Sequence, residues 1–450
     1  MLLGGKLVYK YCLLPEIASV SQLFLTLDFL YHLLLTVCLL LLSCHFQLLQ
    51  TNTTMASELK EPSASQDICL PVRPVVPKSF FRSLSVHPKD EPFALHGEFL
   101  ADTHPRKVNL GIGVYRSENG QPWPLPAVER AESLLHQKRD ESRHEYLSIQ
   151  GDVEFLRLAR DLVFGFKPEG SSRETLLKNR VSSIQTVSGT GANRLGAHFL
   201  ARTLKPKTVW IPQPTWDNHY AIWALTHIDI KTYPYYDSVG KCFDHNRALH
   251  FLWSQTKEGD VIVLHACAHN PTGADPTEEH WRAMASMFRD KRLIPFFDLA
   301  YQGFASGSVD KDAWAIRYFI SVSPGIEFCV AQSFSKNFGL YGQRVGALHV
   351  VTNNVPDKMT SEAIMSNLNL LARSEYGMAP RGGSDIVRTV LGSPELRKQW
   401  YNDIQYMSGR IKTMRRALCG ELVRLGTPGS WDHMLSQVRV ICFLIALGSD

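Results

Sequence analysis

Apolar and polar positions along the chain follow two alternating rhythms. Short apolar, β-branched runs at residues 183–187, 208–211, 261–265, 293–298, 328–333 and 345–351 predict strands. Between them the spacing turns helical, at 192–204 and again at 277–291, where Trp281, Met284, Met287 and Phe288 share one face after the turn residues Asp275 and Pro276. Further on, Leu396, Trp400, Ile404, Met407, Ile411, Met414, Leu418 and Leu422 recur every third or fourth position. A long amphipathic helix is therefore expected after Ser393-Pro394, bridging into a second domain. Strands alternating with helices predict an α/β protein with a mostly parallel sheet, and 450 residues leave room for a large domain and a smaller one. The prolines and basic residues between Pro71 and Pro88 predict an extended arm.

One stretch breaks the rhythm. Residues 29–50, FLYHLLLTVCLLLLSCHFQLLQ, contain no Asp, Glu, Lys or Arg and are long enough to cross a bilayer, so taken alone they read as a membrane anchor. The stretch is longer than a signal-peptide core, carries Asp28 at its edge and is not followed by a small-residue cleavage site. An in-frame Met55 opens the polar MASELKEPSASQD, an ordinary start for a soluble protein. Residues 1–54 are thus expected to be extra translated sequence rather than an anchor.

Charge narrows the classes. Forty-eight basic residues against 43 acidic ones leave a net charge of +5, and the basic residues are scattered, which disfavours a nucleic-acid surface. The nine cysteines show no zinc-ligand or redox-motif spacing, so no metal site is expected. Free thiols, buried at Cys267, Cys329 and Cys442, fit a reducing compartment, the cytoplasm.

Candidate chemistry gathers after the predicted strands. Ser188-Gly189-Thr190-Gly191-Ala192 joins a strand to a helix and offers free amides, two hydroxyls and a positive helix end, which makes either a phosphate cradle or only a tightly packed strand-to-helix turn. No Walker lysine follows, so a nucleotide P-loop is excluded. Asn270-Pro271-Thr272-Gly273, Asp298-Leu299-Ala300-Tyr301, Ser333-Phe334-Ser335-Lys336 and Arg344 all lie at or just past strand ends, where open α/β sheets place their ligands. An acid closing the buried run Ile-Pro-Phe-Phe-Asp298 needs a cation, either a salt-bridge partner or a protonated ring nitrogen.

A phosphate cradle, a strand-end Asp, a Tyr three residues on, and Ser-x-x-Lys before an Arg resemble the fold-type I pyridoxal-phosphate enzymes, and among them the aspartate aminotransferases. The strings VNLGIGVYR at 108–116, EYLSIQG at 145–151, QTVSGTGA at 185–192, PTWDNH at 214–219, HACAHNPTG at 265–273, FFDLAYQGFASG at 296–307 and QSFSKNFGLYGQRVGA at 332–347 carry the resemblance, which runs from about His87 to about Gln437. It implies pyridoxal 5'-phosphate as cofactor, and an exchange of the amino group between L-aspartate and 2-oxoglutarate that gives oxaloacetate and L-glutamate. It implies a homodimer with shared active sites. By the same resemblance Lys336 binds the cofactor through its amine and later moves the proton, Asp298 keeps the ring nitrogen protonated, and His219 orients Asp298. Asn270 and Tyr301 hydrogen-bond the ring oxygen and Trp216 stacks on the ring. Ser188, Gly189, Thr190, Ser333 and Arg344 hold the phosphate, with Tyr146 reaching across from the other subunit. The backbone at Ile112 and Gly113 lines the substrate α-carboxylate, and Arg373, also from the neighbouring subunit, takes the side-chain carboxylate.

The sequence departs from the family in places. Glu375 follows closely on Arg373 and is expected to compete for it, Asp217 replaces a usual glycine, and Ser148 replaces a usual proline. After Gln437 the tail VRVICFLIALGSD no longer resembles the family, and no residue matches the arginine that grips the α-carboxylate. The expected organisation is a hydrophobic extension at 1–54, a flexible arm at 55–87, a small domain from 88–124 and 404–450 that is incomplete at its C-terminus, and a large cofactor-binding domain at 125–403. Two rival readings remain at this level: a catalytically impaired or non-catalytic cofactor-binding relative, and a membrane-anchored scaffold.

Overall fold

A computed structural model of the protein describes residues 79–437, except 106, 108, 110–112, 139–140, 168–169, 323–324 and 355–356. The chain divides into a unit from Met1 to Val86 and one from His87 to Asp450, and the second holds all the elements described below. The apolar stretch at 29–50, most of the expected arm and the tail after Gln437 lie outside the described residues. Among the described residues no helix is long and apolar enough to cross a membrane.

Seven strands form the central sheet: β1 Val181–Val187, β2 Thr208–Gln213, β3 Asp229–Pro234, β4 Val261–His265, β5 Ile294–Leu299, β6 Phe328–Ser333 and β7 Val345–Val351. Their order is β1-β7-β6-β5-β4-β2-β3, and every pairing is parallel except the two made by β7. The expected α/β class and mostly parallel sheet are borne out. Every residue of β4, β6 and β7 is buried, which is why these strands read as unbroken apolar runs. β3 is absent from the expected strands. It is an edge strand whose polar DIKTYP alternates exposed and covered positions, so it lacks the apolar run that marks the others.

Helices cover both faces: α1 Val153–Phe164, α2 Ser188–Thr203, α3 Asn218–Ala224, α4 Glu278–Asp290, α5 Lys358–Glu375 and α6 Pro394–Arg424. Side chains alternate across the sheet, so adjacent residues enter different cores. Val263 and Phe296 pack with Leu195, Trp223 and Leu371 on one face, while Leu264 and Phe297 pack with Phe155, Trp281 and Phe319 on the other. α4 matches its expected span, with Thr277 and His280 exchanging capping hydrogen bonds at its start. α6 starts at Pro394, where the Ser393 hydroxyl accepts from the Leu396 amide. Its stripe is buried through Met407 and emerges at Met414 and Leu418.

One expectation needs correction. α2 begins at Ser188 itself rather than at Ala192, so the Gly-rich segment is the helix's own first turn. That turn lies hard against the sheet, and farther along α2 Gly196 is also in close contact with it: a Cβ there would lie 2.7 Å from the Phe296 ring and 3.0 Å from Leu348 Cδ1. Gly196→Ala should therefore overpack this contact and cost about 1–3 kcal/mol. Urea denaturation should show an earlier midpoint with an unchanged slope.

Candidate active site

The sheet topology explains why distant segments converge. β1, β2, β4, β5 and β6 all run the same way, so the residues that follow them emerge along one edge of the sheet. β7 runs the opposite way, so its start lies on that same edge and brings Arg344, the residue just before it, alongside. Cross-strand register finishes the alignment: His265 pairs with Asp298, Asp298 with Ala331, and Ser333 with Gly346.

At the centre is Asp298, only 7% exposed. His219, fully buried on the first turn of α3, approaches its carboxylate at 3.1 Å. The hydrogen-bond directions can be followed from a backbone donor. The Asn270 amide donates to His265 Nδ1 at 3.3 Å, which leaves the proton of a neutral His265 on Nε2 to donate to Thr215 Oγ1 at 3.0 Å. The Thr215 hydroxyl then donates to His219 Nδ1 at 2.9 Å, and His219 Nε2–H donates to Asp298. Burial pushes the Asp298 carboxyl up, but the His219 hydrogen bond and the electrostatic pull of the two imidazoles and of Lys336 together outweigh it and leave the carboxyl below its ordinary value. The site thus keeps an oriented anion at a dry strand end.

Beside it, Lys336 Nζ lies 5.2 Å from the centre of the Tyr301 ring. The Trp216 ring meets His219 edge-on, with ring centres 5.2 Å apart. On the other side four polar side chains form a cradle. Ser188 Oγ lies 2.9 Å from Ser335 Oγ, Arg344 Nη1 donates to Ser335 Oγ at 3.3 Å, and the Ser335 amide donates to Ser333 Oγ at 3.2 Å. Ser188 and Arg344 both hold left-handed backbone, with φ of 64° and 51°, and the Ser188 amide donates to the Arg344 carbonyl. Non-glycine residues pay of order 1 kcal/mol for that conformation, so strain is concentrated in the cradle. Gly189 faces Ser333 so closely that a Cβ would lie 2.7 Å from Ser333 Cβ. Thr190 is partly covered in the same first turn of α2. Partial burial lowers the affinity of Arg344 for its proton.

These donors fit the group that the sequence resemblance implies. Hydroxyls, a guanidinium and helix N-terminal amides suit a phosphate, the buried Asp298 anion suits a protonated ring nitrogen, and the nearby lysine supplies an amine.

Other expected residues do not join this cluster within one chain. Tyr146 is 85% exposed, and Arg373 is exposed in the last turn of α5. Ile112 lies outside the described residues, while Gly113 is partly covered near Tyr115, whose amide donates to the Tyr341 hydroxyl at 2.9 Å. The expected competition by Glu375 takes a different form: Glu375 meets His198 at 3.0 Å and Arg194 at 3.6 Å. Thr215, His265 and Ser335 have no role assigned from sequence. Nothing in their local pattern marks them, because their partners come from other segments of the chain.

Residues 105–446 match the family Aminotransferase class I and II. An L-tyrosine:2-oxoglutarate aminotransferase of Aspergillus ustus is 51% identical over 79% of this chain and 68% of its own length. The cytoplasmic aspartate aminotransferase of Caenorhabditis elegans is 44% identical over 81% of this chain and 87% of its own. Among solved structures, the aspartate aminotransferase from Saccharomyces cerevisiae cytoplasm superimposes with a TM-score of 0.75 at 41% identity, covering 80% of this chain and 86% of that one.

Two outcomes are expected of the buried network. Thr215→Val should remove the hydroxyl that bonds both His219 Nδ1 and His265 Nε2 and cost about 1–3 kcal/mol in urea denaturation, whereas Thr215→Ser should cost little. Asp298 has its folded-state pKa depressed, so its stabilising effect is present above the unfolded carboxyl's pKa of about 4 and is lost as pH falls through the lower folded value. The stability gap between the wild type and Asp298→Asn should therefore be flat from about pH 5 to 8 and narrow only below about pH 4.

Proposed function

Because the chain belongs to the class I and II aminotransferases and is a pyridoxal-phosphate-dependent transaminase, we propose that it passes the amino group of L-aspartate to 2-oxoglutarate, giving oxaloacetate and L-glutamate. Arg373 carries this reading. It is an exposed guanidinium at the end of α5, and the acid two residues on is already engaged by Arg194 and His198. A planar fork of donors suits the second carboxylate of a dicarboxylic substrate. The exposure of both Arg373 and Tyr146 supports a homodimer in which each subunit lends these residues to the other's site. The described cysteines, all free, agree with a cytoplasmic location, as do the cytoplasmic relatives.

When bound, pyridoxal phosphate supplies a carbonyl carbon that takes an amine and a protonated ring that draws electrons from the substrate Cα. The chain's own residues do the rest in this proposal. Ser188, Gly189, Thr190, Ser333 and Arg344, with Tyr146 from a second copy, hold the phosphate, and Asn270 and Tyr301 bind the ring oxygen. Trp216 covers the ring. Asp298, kept ionised and aimed by His219, holds the proton on the ring nitrogen. Lys336 would hold the cofactor through its amine, and the same amine, when free, would be the acid/base for the substrate Cα proton. The backbone at Ile112 and Gly113 receives the α-carboxylate. The proposed boundary at residue 404, between the cofactor-binding 125–403 and the smaller domain, is crossed by α6 without a break.

An aromatic amino donor is the second reading, favoured by the Aspergillus relative. Steady-state assays with 2-oxoglutarate separate the two: a higher kcat/KM for L-tyrosine than for L-aspartate would replace the first reading with the second. Arg373→Leu should lower kcat/KM for aspartate roughly 30-fold or more while leaving that for tyrosine nearly unchanged. Lys336→Ala should abolish turnover by at least about 10³-fold and remove the lysine-linked visible absorbance of the holoenzyme.

A further inference from the structure

Two carboxylates that the proposed chemistry does not use lie directly behind the loops that carry Asn270 and Tyr301. Asp275 accepts from two successive amides, with Oδ2 receiving the Ala268 N–H at 2.6 Å and Oδ1 the His269 N–H at 2.8 Å. Ala268 sits in left-handed backbone, φ 49°, a conformation that a non-glycine residue holds only when its surroundings impose it. The chain bends there, just after β4 and two residues before Asn270. Asp312, 5% exposed, accepts from the Ala305 amide at 3.2 Å and from the Ser306 amide at 3.1 and 3.2 Å. The Ala305 amide is shared, since it also donates to the Tyr301 carbonyl at 3.0 Å, so Asp312 and Tyr301 are tied through one donor.

We propose that Asp275 and Asp312 are positioning residues, each clamping the backbone of one loop so that Asn270 and Tyr301 are held at the cofactor's ring oxygen. The proposal rests on the assignment of Asn270 and Tyr301 to that oxygen. Charge supports it. Burial pushes both carboxyls up to about 6, with the Asp312 carboxylate adding to the effect on Asp275, yet both remain ionised at about pH 7.5 and able to accept. Around them, burial keeps the thiol of Cys267 and the phenol of Tyr235 protonated, His269 bonds Thr272, and Lys412 donates to the Ser306 carbonyl. Replacing either carboxylate by an amide puts an –NH₂ against a backbone N–H and forfeits one acceptor.

Hydrogen exchange on the cofactor-free chain tests the clamp directly. Asp275→Asn should speed exchange at residues 268–270 by at least about tenfold, and Asp312→Asn should do so at residues 305–306, while β4 and β5 remain protected. In the chain loaded with pyridoxal phosphate, weaker hydrogen bonds to the ring oxygen leave it more negative, so the nearby proton on the Lys336 nitrogen is held more tightly. The pH midpoint of the visible absorbance should therefore rise in both variants, with kcat reduced more than KM is changed. A merely structural role would lower the melting temperature without moving that midpoint. If an Asn variant does not fold, Asp275→Glu and Asp312→Glu, which keep the charge but displace it by one methylene, are read in the same way. Unchanged local exchange, or faster exchange with an unmoved midpoint, overturns the proposal while leaving the site reading intact. If instead Lys336→Ala leaves the absorbance of the loaded chain unchanged, the site reading falls and the proposal falls with it.

Discussion

An ionised carboxylate at the end of a buried strand is the constraint around which this molecule is arranged. Asp298 stands at the edge where the parallel strands deliver their following residues, in surroundings too dry to hold an anion unaided. The answer is a line of hydrogen bonds with one direction throughout: the Asn270 amide to His265, His265 to Thr215, Thr215 to His219, and His219 to the carboxylate. Since each donor fixes the tautomer of the next ring, the backbone amide at one loop is consistent with the proton of His219 lying on the nitrogen that faces the anion at the far end of the line. Placing the acid, the helix α3 and the loop after β4 is therefore one structural problem with one solution.

The cradle on the other flank follows a similar economy. Its polar atoms come from the start of α2, the end of β6 and the residue before β7, and the reversed direction of β7 is what brings Arg344 to the other two. Left-handed backbone at Ser188 and Arg344 is the cost of turning both segments sharply enough, and their mutual hydrogen bond ties the two strained residues together. Tight approach by Gly189 lets α2 start at the sheet edge instead of a turn later.

Much of this is legible in the amino-acid sequence, and for physical reasons. Strands buried on both faces leave long apolar runs, so β4, β6 and β7 can be located to the residue, whereas the polar edge strand β3 cannot. The start of α2 reads one turn too late because glycine and serine suggest a turn even where they open a helix. Asp298, Lys336 and Arg344 stand out as charges at the ends of apolar segments. Thr215, His265 and Ser335 carry no such mark, because a hydroxyl or imidazole becomes informative only when its partner on another segment is known. Tyr146 and Arg373 are exposed on the single chain, and family resemblance rather than local pattern singles them out.

The reversed strand has one more effect. Because β6 and β7 are hydrogen-bonded neighbours, the segment between them is a closed hairpin loop, moored at Ser333 and again at Val345. Lys336 rides near one mooring, and the fully buried Phe334 and Phe338 on either side of it are set into the core like rivets. Such a loop has little freedom to swing as a lid. Any travel by the amine must come from the rotors of its own four-carbon tether, so the reach of this lysine is an arc drawn from a stationary pivot.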